Sequence, residues 1–214
     1  MMENKIIDAC SYKTSKFIVK RIVDVIVSCL ALLFFLPLII VIVCLIKLEN
    51  PIAPVIFSQE RVGKNGAVFK MYKFRTMIIG AEDLLFELLN KNELEGPFFK
   101  MKNDPRVTIV GKFLRKYSLD ELPQLVNVLF GEMSVVGPRP ALPREVAQYT
   151  EEERQRLQVK PGCSGIWQVS KRSDCSFKEM LKLDLYYIKH HNLKLDIQII
   201  LKTILVMVIP NGAY

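Results

Sequence analysis

The sequence predicts an α+β protein: an N-terminal re-entrant membrane segment (helix-break-helix), a small β-hairpin, several short helices and interfacial amphipathic helices. Three observations carry this reading. Residues 22–46 are apolar throughout except Asp24 and Ser28, and Pro37 sits among them. Two segments rich in β-branched and aromatic residues, 54–62 and 67–76, flank "GKNG". Beyond them, helical patterns alternate with Pro- and Gly-bearing turns. The chain divides into 1–50, a tail with the membrane hairpin, and 51–214, a globular domain that closes with an interfacial C-terminal helix.

The apolar run is too long for a cleavable signal, and no small-residue cleavage site follows it. It is long enough to span a bilayer, which takes ~20 residues. Its flanks are basic on both sides, with Lys16, Lys20 and Arg21 before it and Lys47, Arg61 and Lys64 after. Both ends therefore prefer the cytoplasm. A helical hairpin broken at Pro37 satisfies both ends at once, since the part before Pro37 covers only ~22 Å of a ~30 Å hydrocarbon core. A single proline-kinked spanning helix is the other arrangement the residues allow.

Asn65-Gly66 is a strong hairpin turn signal between the two strands. Residues 80–94 read as an amphipathic helix, and "GPFFKMKNDPR" as a loop. Thr108 is placed to cap a helix over 109–116. A further helix runs from Pro123 to about Phe130, and "GEMSVVGPRP" ends in turn chemistry. Residues 143–158 read as one helix, "KPGCSGIWQV" as a turn and short strand, and 177–190 as a helix. The stretch 195–209 is apolar but carries Asp196, Gln198 and Lys202, which suits a helix lying in the interface rather than crossing it.

Half the residues are hydrophobic, yet 30 Lys and Arg stand against 22 Asp and Glu, a net charge of +8. Such a chain works against something negative: anionic lipid, phosphorylated substrate or nucleic acid. No groove-reading element supports nucleic acid. The five cysteines are scattered, with no CxxC pair, so neither a disulfide framework nor a zinc site follows.

The densest chemistry lies in "KYSLDELPQLVNVLFGEMSVVGPRP", residues 116–140. Pro123 belongs in the first turn of its helix, where a missing N–H costs little. Asp120 and Glu121 thus fall at or just before a helix N-terminus, whose partial positive charge favours carboxylates. Ser118 with Glu121 also matches a capping box, which explains one acid well and the second poorly. Arg115 and Lys116 lie one turn away, and two prolines fix the backbone of Arg139. A rigid guanidinium is a good phosphate fork, although a surface ion pair would also account for it. Two carboxylates beside several cations could hold Mg²⁺ and a diphosphate or attack phosphorus directly.

These segments resemble the bacterial sugar transferases, the monotopic polyprenyl-phosphate phosphoglycosyl transferases. The resemblance rests on "KRIVDVIVSCLALLFFLPL", "FSQERVGKNGAVFKMYKFRTM", "DPRVTIVGKFLRKYSLDELPQLVNVLFGEMSVVGPRP", "KPGCSGIWQVS" and "LDLYYIKHHNLKLDIQII", in the family's order and covering nearly the whole chain. The form the chain resembles is the family's small one, which consists of the catalytic domain alone. What the resemblance implies is a two-step reaction. Asp120 would attack the β-phosphate of a UDP-sugar and release UMP. Undecaprenyl phosphate would then take the phosphosugar, which begins capsule, exopolysaccharide or glycoconjugate assembly. Mg²⁺ is implied as cofactor, held at Asp120, with Glu121 as the acidic partner. Lys73, Arg115, Arg139 and Arg172 are implied as phosphate-binding cations and Pro37 as the membrane break. Residence is implied on the cytoplasmic face of the bacterial cell membrane, with downstream glycosyltransferases as partners.

Two departures stand out. The family often has Ser-Pro at the membrane break, here Leu36-Pro37, and a serine hydroxyl could satisfy a backbone group freed by the proline. It also commonly has glycine before the arginine after "WQV", where this chain has Lys171. The competing class is a non-catalytic, membrane-tethered scaffold that binds anionic lipid or glycosyltransferases. UMP release separates the two.

Overall fold

The computed structural model describes residues 2–88, 101, 103–170 and 176–208. The first element, α1 (Met2–Glu49), is one helix that continues through Pro37. The expected break at Pro37 is therefore absent from the helix itself. Proline removes one backbone hydrogen bond and crowds the preceding turn, and the apolar residues on both sides keep the remaining bonds. Phe17–Glu49 is long and apolar enough to cross a membrane by length and composition.

How α1 is held says more than its length. At one end, the Asp24 carboxylate accepts hydrogen bonds from Ser134 Oγ at 2.9 Å and Val135 N at 3.0 Å. Arg21 donates to the carbonyls of Val128 and Leu129, and Lys20 pairs with Asp196 at 2.7 Å. At the other end, Ile42 and Ile46 are buried against Phe74, Leu114, Leu119 and Leu122, and Glu49 Oε1 accepts from the backbone N–H of Ile109 at 2.8 Å. The two polar residues of the apolar run, Asp24 and Ser28, are thus buried inward. The opposite face is open, with Leu33 70% and Phe34 77% exposed.

Strands β1 (Ile56–Val62) and β2 (Val68–Phe74) pair antiparallel from Ile56↔Phe74 to Val62↔Val68. The turn between them holds Asn65 and Gly66 at positive φ, 57° and 83°, as an Asn-Gly connection requires. Of the helix expected over 80–94, a turn α2 (Leu85–Leu88) is present, and 89–94 lie outside the described residues, as does much of the "GPFFKMKNDPR" loop. Helix α3 (Ile109–Lys116) has the expected cap, Thr108 Oγ1 accepting from Gly111 N at 2.9 Å. A 3₁₀ turn over Leu119–Glu121 leads to α4 (Gln124–Phe130).

Next comes β3 (Ser134–Val136), which pairs in parallel with β4 (Gly162–Ser164). Between them, the single helix expected over 143–158 is two short helices, α5 (Pro143–Val146) and α6 (Glu151–Arg154), and a 3₁₀ turn. Thr150 and Glu153 form a capping box that restarts the chain there. The "KPGCSGIWQV" stretch holds the expected short strand, β4, and its "WQV" end is helical, α7 (Ile166–Ser170). Helix α8 (Phe177–His190) has the expected bounds, and α9 (Leu193–Val208) starts two residues before them. Leu201, Ile204, Leu205 and Val208 leave α9 with an exposed apolar face.

The β3–β4 pair admits no side chain at its crossing. A Cβ on Gly162 would lie 2.0 Å from Gly137 N and 2.6 Å from Ser164 O, all backbone atoms. Gly162→Ala should therefore force the strands apart. Overpacking of this kind costs ~1–3 kcal/mol or more, and differential scanning fluorimetry should show a melting temperature lowered by several degrees.

Candidate active site

Strand β2 is tied to α4 by Asn127, whose Oδ1 accepts from Tyr72 N at 3.0 Å and whose Nδ2 donates to Lys70 O at 2.8 Å. This clamp brings Lys73 over the turn that carries the acid pair. Lys73 Nζ lies 2.7 Å from Glu121 Oε1 and 3.6 Å from Asp120 Oδ2. Asp120 is buried, while a third of the Glu121 side chain remains exposed.

The capping alternative for the acids is not what the structure holds. Ser118 has φ 55° and makes no side-chain cap bond, and Glu121 turns to Lys73 instead. Glu121 is thus committed to a cation rather than to the backbone of a helix end, and Asp120 lies within ion-pair distance of the same lysine. Their environments differ. Burial raises the Asp120 carboxyl above its ordinary value, and Lys73 only partly offsets this. Burial also presses upward on Glu121, but Lys73, by charge and hydrogen bond, and then Arg139 and Arg61 hold it below the usual carboxylate range. Neighbouring acids pushed in opposite directions are a mark of functional sites.

Arg139 sits in the Pro138–Pro140 loop just after β3, and the loop is pinned on each side. Pro138 O accepts from Gly162 N at 2.8 Å. Pro140 O accepts from Arg61 Nη1 at 3.0 Å, and Arg139 O from Arg156 Nη2 at 3.5 Å. Arg156 is itself fixed by Asp184 at 2.7 Å. Arg61, Lys73, Glu121 and Arg139 then line one open cleft with Met71, Gln124, Cys163 and Gln168, about 240 Å³ including its solvent-facing mouth.

Of the residues singled out from sequence, Glu121, Lys73 and Arg139 line the cleft, and Asp120 lies beside it, 3.6 Å from Lys73, without lining it. Arg115 approaches from behind: its Nε donates to Thr76 Oγ1 at 3.0 Å, and its charge acts on Asp120 without lining the cleft. Arg172 lies outside the described residues. Sequence reasoning counted Arg61 only as a flanking charge and passed over Gln124 and Gln168. The signal for Arg61 was a lone cation on the inward side of a strand. Burial, then the nearby Arg139, pushes its guanidinium down to about 10, so it remains charged at neutral pH.

No three His, Cys, Asp or Glu side chains converge as a metal cage among the described residues. Mg²⁺ does not need one, since it is commonly held by one or two carboxylates plus substrate phosphate oxygens. The Asp120–Glu121 pair fits that donor set.

The acid pair beside Lys73, in a cleft shared with Arg61 and Arg139, thus sits in a body clamped along an apolar helix long enough to cross a membrane. Residues 15–210 match the bacterial sugar transferase family, and the chain belongs to it. It is 44% identical over 203 residues to the galactosyl transferase CpsE of Streptococcus agalactiae, covering 94% of this chain and 45% of that protein. It is 41% identical over 206 residues to the undecaprenyl-phosphate galactose phosphotransferase of Salmonella typhimurium, covering 94% and 43%. It is 41% identical over 199 residues to the exopolysaccharide production protein ExoY of Rhizobium meliloti, covering 91% of this chain and 88% of that protein. The chain thus spans less than half the length of the first two relatives and most of the third.

Proposed function

We propose that this protein transfers a sugar 1-phosphate from a UDP-sugar to undecaprenyl phosphate through an aspartyl intermediate, on the cytoplasmic face of the bacterial cell membrane. The observation that carries this reading is the pairing of Asp120 and Glu121 with Lys73, facing Arg139 and Arg61, in a body docked on an apolar helix. Relatives named for undecaprenyl-phosphate sugar phosphate transfer support it.

In the first step a carboxylate oxygen of Asp120 bonds to the β-phosphorus. The bond from that phosphorus to the bridging oxygen breaks, and UMP leaves with the oxygen and its electron pair. In the second step a phosphate oxygen of undecaprenyl phosphate attacks the same phosphorus. The Asp120–phosphorus bond breaks, returning the carboxylate and giving a sugar-diphospho-lipid. Lys73, Arg139 and Arg61 neutralise charge on the phosphates, which is most of what phosphoryl transfer needs from a protein. Asp120 and Glu121 would hold Mg²⁺ against the same oxygens, where the ion supplies further charge neutralisation. Glu121, kept ionised, orients Lys73. Incubation with UDP-glucose, UDP-galactose and N-acetylated UDP-sugars plus undecaprenyl phosphate should release UMP. Folded protein that releases none with any donor would return the tethered-scaffold reading.

The docking of α1 supports a membrane arrangement with both flanks on one side. Both ends of its apolar stretch are fastened to the same globular body, by Arg21 and Asp24 at one end and Ile42, Ile46 and Glu49 at the other. A continuous helix held this way lies along one leaflet with its exposed face in lipid, so both basic flanks stay cytoplasmic. Single cysteines engineered near Lys5 and near Lys64 should both resist an impermeant thiol reagent in intact cells. Labelling near Lys5 alone would mean a spanning helix.

A further inference from the structure

The lining of the cleft beside the acid pair is chemically mixed. Lys73, Arg61 and Arg139 supply donors that match phosphate oxygens, which accept hydrogen bonds. Beside them and Glu121, the lining includes the uncharged Gln124 and Gln168. There the Gln168 carboxamide is half used. Its Nε2 donates to the Cys163 carbonyl at 3.3 Å, which fixes the end that is oxygen. Gln168 Oε1 is buried and has no hydrogen-bond partner among the described residues.

Buried polar atoms are seldom left unpaired without a reason. Two such atoms belong to residues lining this cleft, Arg61 Nε, a donor, and Gln168 Oε1, an acceptor. The backbone around Gln168 also excludes side chains. A Cβ on Gly165 would sit 2.9 Å from Oε1 and 2.7 Å from Gly137 O. A phosphate cannot satisfy a carboxamide oxygen, because both accept. The group that meets it must be a donor, which on a nucleotide sugar means a neutral O–H or N–H.

We infer that Gln168 Oε1 accepts a hydrogen bond from the non-phosphate part of the UDP-sugar, a sugar hydroxyl or amide or the uracil N–H, and so helps set which donor is admitted. This rests on the donor reading above. A site built to hydrogen-bond a substrate group discriminates strongly against partners that leave it unpaired.

The test uses the full chain in detergent or nanodiscs with undecaprenyl phosphate, comparing wild type with Gln168→Leu and Gln168→Met. Measured are kcat/KM across UDP-glucose, UDP-galactose and their N-acetylated forms, inhibition by UMP, and melting temperature. With melting temperature held, both variants should lose about tenfold or more in kcat/KM for the preferred donor. Unchanged UMP inhibition with an altered ranking of donors assigns the bond to the sugar. UMP inhibition weakened by the same factor for every donor assigns it to uracil. Unchanged constants throughout, or an equal loss on every donor accompanied by a lowered melting temperature, would overturn the proposal alone. Wild type that neither binds UMP nor turns over any UDP-sugar would overturn the donor reading, and this proposal with it.

Discussion

Asp120→Asn should abolish UMP release, with a loss of about four orders of magnitude or more, as removal of a nucleophile does elsewhere. It should also leave the protein more stable. Burial is the largest influence on the Asp120 carboxyl and raises it above its ordinary 3.8 in the fold. Stability from such a group is complete below the unfolded value and is lost as pH rises through the folded one. At neutral pH the ionised form is therefore a burden that asparagine removes. Glu121 carries the opposite sign. Against the upward push of burial, Lys73, Arg139 and Arg61 hold it below its ordinary 4.5, so its stabilisation is present above the unfolded value and lost as pH falls through the folded one. Glu121→Gln should slow turnover severely and lower the melting temperature at pH 7. Intact-protein mass spectrometry with UDP-sugar and no acceptor should show a phosphosugar adduct on wild type and none on Asp120→Asn. An adduct on that variant, or a melting temperature that falls with Asp120→Asn, would contradict the assignment. The elevated Asp120 carboxyl also implies a pH profile. Adduct formation should decline at pH values where an exposed aspartate is still ionised, because the attacking form is the carboxylate.

The sequence made the local features readable and left the long-range ones hidden, for physical reasons. Asn65-Gly66, the Thr108 cap and the period of α8 are decided within a few residues, and each stands where expected. The Thr150–Glu153 capping box was equally local but falls inside the single helix expected over 143–158. The pairing of β3 with β4 joins two three-residue strands separated by 25 residues, too short for any period to show. The role of Asp24 was hidden likewise, since an acid in an apolar run can face lipid, water or a partner. Only the fold supplies Ser134 and Val135. At the site, the motif residues Asp120, Glu121, Lys73 and Arg139 were legible as chemistry-bearing types in crowded places. Gln168 was not, because a glutamine after a tryptophan carries no local signature of a cleft, and Arg61, though a lone cation on the inward side of its strand, is brought to the cleft only by the fold.

Arg139→Lys should lower kcat/KM by tenfold or more with the melting temperature unchanged, and Arg139→Ala by roughly 10²–10³, the scale for losing one preorganised donor to developing charge. The reason lies in how the side chain is presented. Pro138 and Pro140 restrict the backbone on either side, and Gly162, Arg61 and Arg156 each bond a carbonyl of the loop. Arg156 in turn is braced by buried Asp184. Three external hydrogen bonds on consecutive carbonyls are more than a surface ion pair requires, and they fix the backbone from which the guanidinium is presented. Lysine keeps the charge but offers a mobile point donor in place of a planar fork. A phosphate held by two parallel bonds would then be held by one. If Arg139→Lys turns over UDP-sugar within twofold of wild type, charge alone suffices and the surface ion pair becomes the better account. If it loses activity while Lys73→Arg does not, the fork geometry belongs to this loop, and the bracing by Arg61, Arg156 and Asp184 is what maintains it.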